Sequence, residues 1–440
     1  LKLSAELVGA DGTIPDHITV SPNGLHIAYI THKGSRSAAV IDGKMGPVFD
    51  AFDHITALQD QKFAFSPDGK RCGYLGHSGD EMKVVVGDEQ SAAGLQIQDF
   101  MFSPDGSHYA YSMIAQEHGT WVEVFDGKPQ TIECVSETKN PTFSSDGKHF
   151  AYAGQLKEFI KEPKSTVVVI DGKPSPRFSS IREFTFSSNG AHYAYIGDDR
   201  EYPAGAPGPT TTSRLIVDGA ERATFPAMAH LVMSADGAHV AVFGGTGNDA
   251  DREFTAWLDG QTWKFAYNSS DQPPPVMSPD GSKLAYLQYK PGSNRKAVIV
   301  NGKKGLDYDV ITDMNFSADG HLYYEASMTN NGGSFVIRDE EEFGPYTAAP
   351  NGGTMSPAIV FSPDGKHLAY RAGDGKHAFV VADGKKGADY DSLHGPLVYS
   401  PDGQHLAYLA MRNVANTLSP IEQQQYQQKP GHDSGFYIVV

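Results

Sequence analysis

The nine residues Ser362-Pro363-Asp364-Gly365-Lys366-His367-Leu368-Ala369-Tyr370 decide the fold. Pro then Asp suits the two central positions of a type I turn, and Gly supplies the left-handed residue that closes a bulged hairpin. The apolar run on the far side, His367-Leu368-Ala369-Tyr370, reads as a strand, b, and returns as His405-Leu406-Ala407-Tyr408. Short apolar and aromatic runs precede the turn, as in Phe63-Ala64-Phe65 and Leu397-Val398-Tyr399, and read as strand a. After a variable loop comes strand c, for example Val167-Val168-Val169-Ile170, closed by a second turn, Asp171-Gly172. The same Asp-Gly turn stands at 42–43, 126–127, 218–219, 259–260 and 383–384, with Asn301-Gly302 as a variant. A more polar stretch such as Ala388-Asp389-Tyr390-Asp391 is expected to form the outer strand, d.

This unit occurs ten times, with turn glycines at 24, 69, 106, 147, 190, 237, 281, 320, 365 and 403. Successive glycines lie 45, 37, 41, 43, 47, 44, 39, 45 and 38 residues apart, the length of a four-stranded propeller blade. Glycine accounts for 47 of the 440 residues, about 11% against a usual ~7%, and the two repeated turns explain the surplus. The chain carries 36 basic and 53 acidic side chains, a net charge of −17, which argues against nucleic acid or an anionic membrane as partner. No apolar run approaches the ~18 residues of a membrane-spanning helix. Two cysteines exclude a disulfide scaffold and a zinc ribbon; Cys72 falls at an apolar position of strand b and Cys134 on an outer strand.

The repeat resembles the TolB-like, WD40-like (PD40) β-propeller family over essentially the whole chain. The resemblance implies an all-β propeller of ten four-stranded blades and a protein exported to the periplasm or secreted. A chain that starts at Leu1 rather than Met fits a removed signal or a trimmed sequence. Some members carry a serine-peptidase domain, but no G-x-S-x-G elbow is present here; Gly76-His77-Ser78-Gly79 lacks its spacing and a following helix.

Ten a, b and c strands but only nine d strands fall between repeats. The opening segment Leu1–Val8, apolar at Leu1, Leu3 and Leu7, is therefore expected to supply the missing outer strand of the last blade, within residues 1–10. That closure favours a single ten-bladed ring over the alternative of two five-bladed propellers, and it hides both free edges.

Function in such a fold is expected in the parts that do not repeat. The b–c loops share one face. The fifth carries Asp198, Asp199 and Glu201 and the sixth Asn248, Asp249, Asp251 and Glu253, an arrangement that could form an acidic patch for a divalent cation or a basic partner. The fourth loop, with Lys157, Glu158, Lys161, Glu162 and Lys164, reads as a solvated segment. The tenth loop, Met411–Ser434, has a helix start at Ser419-Pro420-Ile421-Glu422. At the entry of the innermost strands stand His17, Asp99, Asn140, Arg182, Glu183, His230, Asp313 and His394. His17, His230 and His394 are the candidate metal ligands of a channel-centred lyase or hydrolase. Seven of the 17 histidines instead sit two residues after a turn glycine: His26, His108, His149, His192, His239, His367 and His405. Arg71 and Lys283 hold that place in two other repeats, so it reads as a polar position at a strand start rather than a metal ring. The expectation is a monomeric, non-catalytic scaffold without cofactor, binding a protein, peptide or glycan.

Overall fold

The computed structural model describes residues 15–439, apart from 56–60, 116–118, 137–138, 204, 206–207, 247–252, 267–272, 291, 294, 329–332, 348–358 and 413–434. The proposed closing strand Leu1–Val8 and the helix expected after Ser419 lie outside the described residues. Among those described, the protein is all-β and has no α-helix; one 3-10 turn spans Lys157–Phe159. No described helix is long and apolar enough to cross a membrane.

The turn chemistry builds the repeat as the sequence implies. In repeat nine, the Gly365 amide donates to Ser362 O (2.8 Å) and the Ser362 amide to His367 O (2.9 Å). The serine hydroxyl donates to Asp364 Oδ1 (2.6 Å) and accepts from the His367 amide (3.0 Å). Gly365 has φ +68°, a left-handed conformation that costs an L-residue ~1–2 kcal/mol. The second turn uses two left-handed residues, Asp383 (φ 47°) and Gly384 (φ 73°), the type I′ geometry whose twist matches antiparallel strands. Strands Leu368–Gly373 and Ala378–Ala382 then pair antiparallel, with Ala369 opposite Ala382 and Tyr370 opposite Val381.

Strand b packs through its recurrent apolar-small-aromatic triplet. Leu368, Ala369 and Tyr370 are 8%, 0% and 1% exposed, and burying one such leucine contributes about 2 kcal/mol. The middle position is small because the next blade lies against it. Gly73 occupies it in repeat two, where an added Cβ would lie 2.6 Å from the Phe100 ring of repeat three.

The chain divides into two compact units, Leu1–Ala238 and His239–Val440. In the first, repeats one, four and five are four-stranded sheets in the order a-b-c-d. Repeats two and three join into one nine-stranded sheet through a pairing of Gly94 with Met82, and Ala51–Asp53 adds a short strand beside Cys72–Ser78. In the second unit, repeats seven, eight and nine are four-stranded and repeat ten has three strands, Ser392–Tyr399, Leu406–Arg412 and Gly435–Val439. The division falls inside repeat six, after its strand Ala227–Met233 and before Val240–Thr246.

Two details differ from expectation. The outer strand starts directly after the Asp-Gly turn and is often two residues long, as at Lys385–Lys386; Tyr390 adds only an isolated bridge to Ala378. A two-residue turn leaves the next backbone groups adjacent to strand c, so pairing begins at Lys385 rather than at Ala388. Strand a carries a bulge at the same place in several repeats, marked by left-handed His17 (φ 50°), Asp99 (55°) and Asp313 (52°), and His230 (60°) is left-handed at the corresponding place of repeat six.

Candidate functional site: the two ends of the strands

At the turn end, six of the seven repeated histidines have an aspartate partner among the described residues, His405 being the seventh. His26 Nδ1 lies 2.6 Å from Asp42 Oδ2, and the same contact joins His108 to Asp126, His149 to Asp171, His192 to Asp218, His239 to Asp259 and His367 to Asp383, at 2.6–2.8 Å. The second carboxylate oxygen accepts the first amide of strand b, as from Ile27 to Asp42 (3.0 Å). Each pair therefore latches the a–b turn to the c–d turn within its own blade. Burial pushes the Asp42 carboxyl up, but the Ile27 amide and His26 outweigh it, leaving the group below its ordinary value.

The exceptions fit the same logic. Repeats two and seven carry Arg71 and Lys283 in the histidine column and lack the aspartate, having Gly87 and Asn301. Both cations reach across to the following repeat, Arg71 to Ser107 O (2.8 Å) and Lys283 to Gly320 O (2.9 Å). Counting two residues from the glycine missed His321, which follows Gly320 directly yet pairs with Asp339 at 2.6 Å. The signal for it was the Leu322-Tyr323-Tyr324 run beginning one residue early.

At the strand-a bulges, the candidate histidines take separate roles. The His17 amide donates to Asp16 Oδ1 (3.0 Å), and its ring Nε2 lies 3.8 Å from Asp16 Oδ2, which also faces His32 (3.7 Å). The amides of His230 and Leu231 both donate to the Glu183 carboxylate of the preceding repeat, at 2.9 and 2.7 Å. His394 is exposed, with Nε2 2.8 Å from Ser392 Oγ. None of the three belongs to a group of ligands within one ion's reach among the described residues. One such group does exist there, Asp374, His377 and Asp389, all exposed. The Lys386 ammonium already lies 3.8 Å from Asp374 and 2.7 Å from Asp389.

At the opposite end, repeat five differs from the reading of its loop. Asp198 and Asp199 are inside strand b, which runs Tyr193–Glu201, and both are buried. Asp198 accepts from Arg182 Nε (2.6 Å) and Ser213 Oγ (2.6 Å). On the other sheet face, Asp199 Oδ2 accepts from Lys164 Nζ (2.8 Å) and Arg214 Nε (3.1 Å), and Arg214 continues to Glu221 (2.8 Å). Hydrogen bonds from Thr224 and Arg214 hold the Glu221 carboxyl below its ordinary value. Three carboxylates thus meet three cations, and the cluster is internally neutral rather than an acidic patch. The correction has a physical cause: Thr210–Val217 offers a long pairing edge, so the strand continues through the polar residues.

Glu201 ends the strand and is exposed, and Glu253 begins strand c of repeat six rather than lying in its loop. Asn248, Asp249 and Asp251 lie outside the described residues. The fourth loop is exposed at Lys157, Glu158, Lys161 and Glu162, and is also tied down: Lys157 bonds Glu133 (2.9 Å), Glu162 meets Arg177 (2.5 Å), and Lys164 reaches Asp199. Cys72 and Cys134 are free and buried, and burial pushes both thiols up to about 12.

No family model matches the sequence, and no curated protein matches it. Among solved structures, the chain is similar to the β-propeller domain of the Trilobed protease from Pyrococcus furiosus. That likeness has 14% identity, covers 66% of this chain and 96% of the other, and has a TM-score of 0.31. TolB from Acinetobacter baumannii gives 12% identity, 63% and 77% coverage, and a TM-score of 0.25. An acylaminoacyl peptidase from Pyrococcus horikoshii gives 15% identity, 69% and 55% coverage, and a TM-score of 0.30, so this chain spans about half of that protein.

Proposed function

We propose that the protein is a non-catalytic β-propeller scaffold that binds a protein, peptide or glycan through its b–c loop face or the mouth of its channel. The observation that carries this reading is the commitment of its chemically capable side chains to the framework. The serines of the a–b turns bond their own turn, as Ser66 and Ser144 do to Asp68 and Asp146. Six of the repeated histidines latch their own blades, and Asp198 and Asp199 anchor the fifth loop through arginine and lysine. An enzyme would instead need titratable groups from several blades converging within a few ångströms. Exposed Glu201, His17 and His394 are the contact residues this reading assigns to the binding face.

The same reading takes all ten repeats as blades of a single ring closed by residues 1–10. Its support is that repeat ten has three strands among the described residues, together with exposed apolar side chains on the first and last sheets: Ile18 and Val20, Val398 and Ile438. Two five-bladed rings would leave an image of two small discs instead of one large one. Export to the periplasm or secretion, a monomeric state and the exclusion of nucleic acid complete the proposal, the first from the family resemblance and the last from the net charge of −17.

The test is the metal content of the purified protein and of the triple variant His17→Ala, His230→Ala, His394→Ala. The scaffold reading expects no stoichiometric metal in either protein. Stoichiometric metal in the parent that disappears in the variant would replace it with the lyase or hydrolase reading.

A further inference from the structure

Repeat eight departs from the others in three places, and two of them, the a–b turn and Tyr323, border one cleft. Its a–b turn is one residue shorter, so the Ser317 amide bonds His321 O rather than the oxygen of a residue five positions on. Glu340 stands where the c–d turn of most repeats has glycine. Tyr323 occupies the small position of strand b, held by Ala28, Gly73, Ala110, Ala151, Ala194, Ala241, Ala285, Ala369 and Ala407 in the other nine repeats. A small residue lets the next blade approach, whereas a tyrosine must be accommodated. Beside it, between repeats eight and nine, lies a cleft of about 350 Å³ on the turn face.

The walls of this cleft have a definite chemistry. The Tyr323 ring meets Phe361 edge-on at 5.4 Å, and Phe343 and Tyr370 extend the aromatic lining. The Arg338 guanidinium lies 5.8 Å from the Tyr323 ring centre. Other charged groups there are already engaged: Asp383 by His367, Asp319 by Ser317, and Lys366 by Asp364. Arg338 forms no ion pair among the described residues, and Glu341 is an exposed acid on the same cleft. A planar guanidinium set against aromatic rings offers a two-pronged donor for a carboxylate and a surface for a ring. The volume is at the small end of ligand sites, ~300–1,000 Å³.

We infer that this cleft binds a small aromatic carboxylate, its ring against Phe361 and Phe343 and its carboxylate on Arg338. The site lies on the face opposite the b–c loops and stands independently of the scaffold reading. Calorimetric titration of the full chain with N-acetyl-L-phenylalanine, and with N-acetyl-L-phenylalaninamide as the uncharged twin, tests it. The acid binds at least ten-fold more tightly than the amide; Arg338→Gln removes that preference. Glu341→Gln tightens acid binding two- to three-fold by removing a like charge. The inference is overturned if neither probe binds at millimolar concentration, if acid and amide bind equally, or if Arg338→Gln leaves the preference intact. The comparison of the two probes on the parent chain decides the matter even where a variant folds poorly.

Discussion

The two ends of repeat five hold the same kind of pair in opposite settings. At the turn end, His192 and Asp218 meet at 2.8 Å with side chains 42% and 40% exposed. At the loop end, Asp198 is 0% exposed and holds Arg182 and Ser213. The first arrangement recurs along the chain, each copy screened by water and each sharing the work of fixing one blade's turns. The second belongs to repeat five and is buried, so one carboxylate fixes strands a, b and c together. Repetition distributes many modest contacts; the unrepeated contact concentrates its effect in one place.

Removing the buried partner should therefore cost most. Asp198→Ala strands the Ser213 hydroxyl and leaves Arg182 without its acceptor, an expected loss of about 2–3 kcal/mol in urea denaturation. Pairing Asp198→Leu with Arg182→Met should recover most of it, because the cost arises from the uncompensated partner. A single variant within about 0.5 kcal/mol of the parent would break the contrast between the two ends.

The latch is expected to show a smaller effect with an internal control. Asp218→Ala removes the acceptor of both His192 and the Tyr193 amide and places alanine at φ 49°. Its expected cost is about 1–2 kcal/mol. Asp218→Asn keeps the amide bond and the left-handed preference, as Asn301 does in repeat seven, where the Leu284 amide donates to Asn301 Oδ1 at 2.8 Å. It should cost less than half as much. Equal losses in the two variants would show that the charge, and not the turn geometry, carries the latch.

What the sequence revealed follows the same division. The turns were legible because their chemistry is local: Gly365 must be left-handed and Ser362 bonds residues within five positions. The His367–Asp383 contact was hidden, since its partners are sixteen residues apart, although both columns could be seen changing together at Arg71 and Gly87. Asp198 and Asp199 were misplaced because two adjacent acids look like loop. Only pairing with Thr210–Val217 shows that they continue a strand, and only folding brings Arg182 and Lys164 to them. Tyr323 was visible as an exception in an alanine column, but nothing local says that a cleft lies beside it.

The smallest effect belongs to the exposed aspartates of the a–b turns, and it is visible as a pH slope. Hydrogen bonds from Ser103, then Ser107, bring the Asp105 carboxyl down to about 2 from an ordinary 3.8, and those from Ser278 and Ser282 do the same for Asp280. In the unfolded chain these groups take up protons near 3.8, while in the folded chain they wait until about 2. Their contribution is therefore complete above about pH 4 and declines as pH falls from there to about 2, because the unfolded state binds protons first. Ser103→Ala and Ser278→Ala raise the folded-state values toward 3.8, so the double variant should be slightly less stable near neutral pH. Its stability should also fall less steeply between pH 4 and 2. Urea midpoints across that range test the claim, with salt expected to reduce the difference because both carboxylates face water. Parallel slopes for parent and variant would mean that these serines shape the turn without biasing its charge.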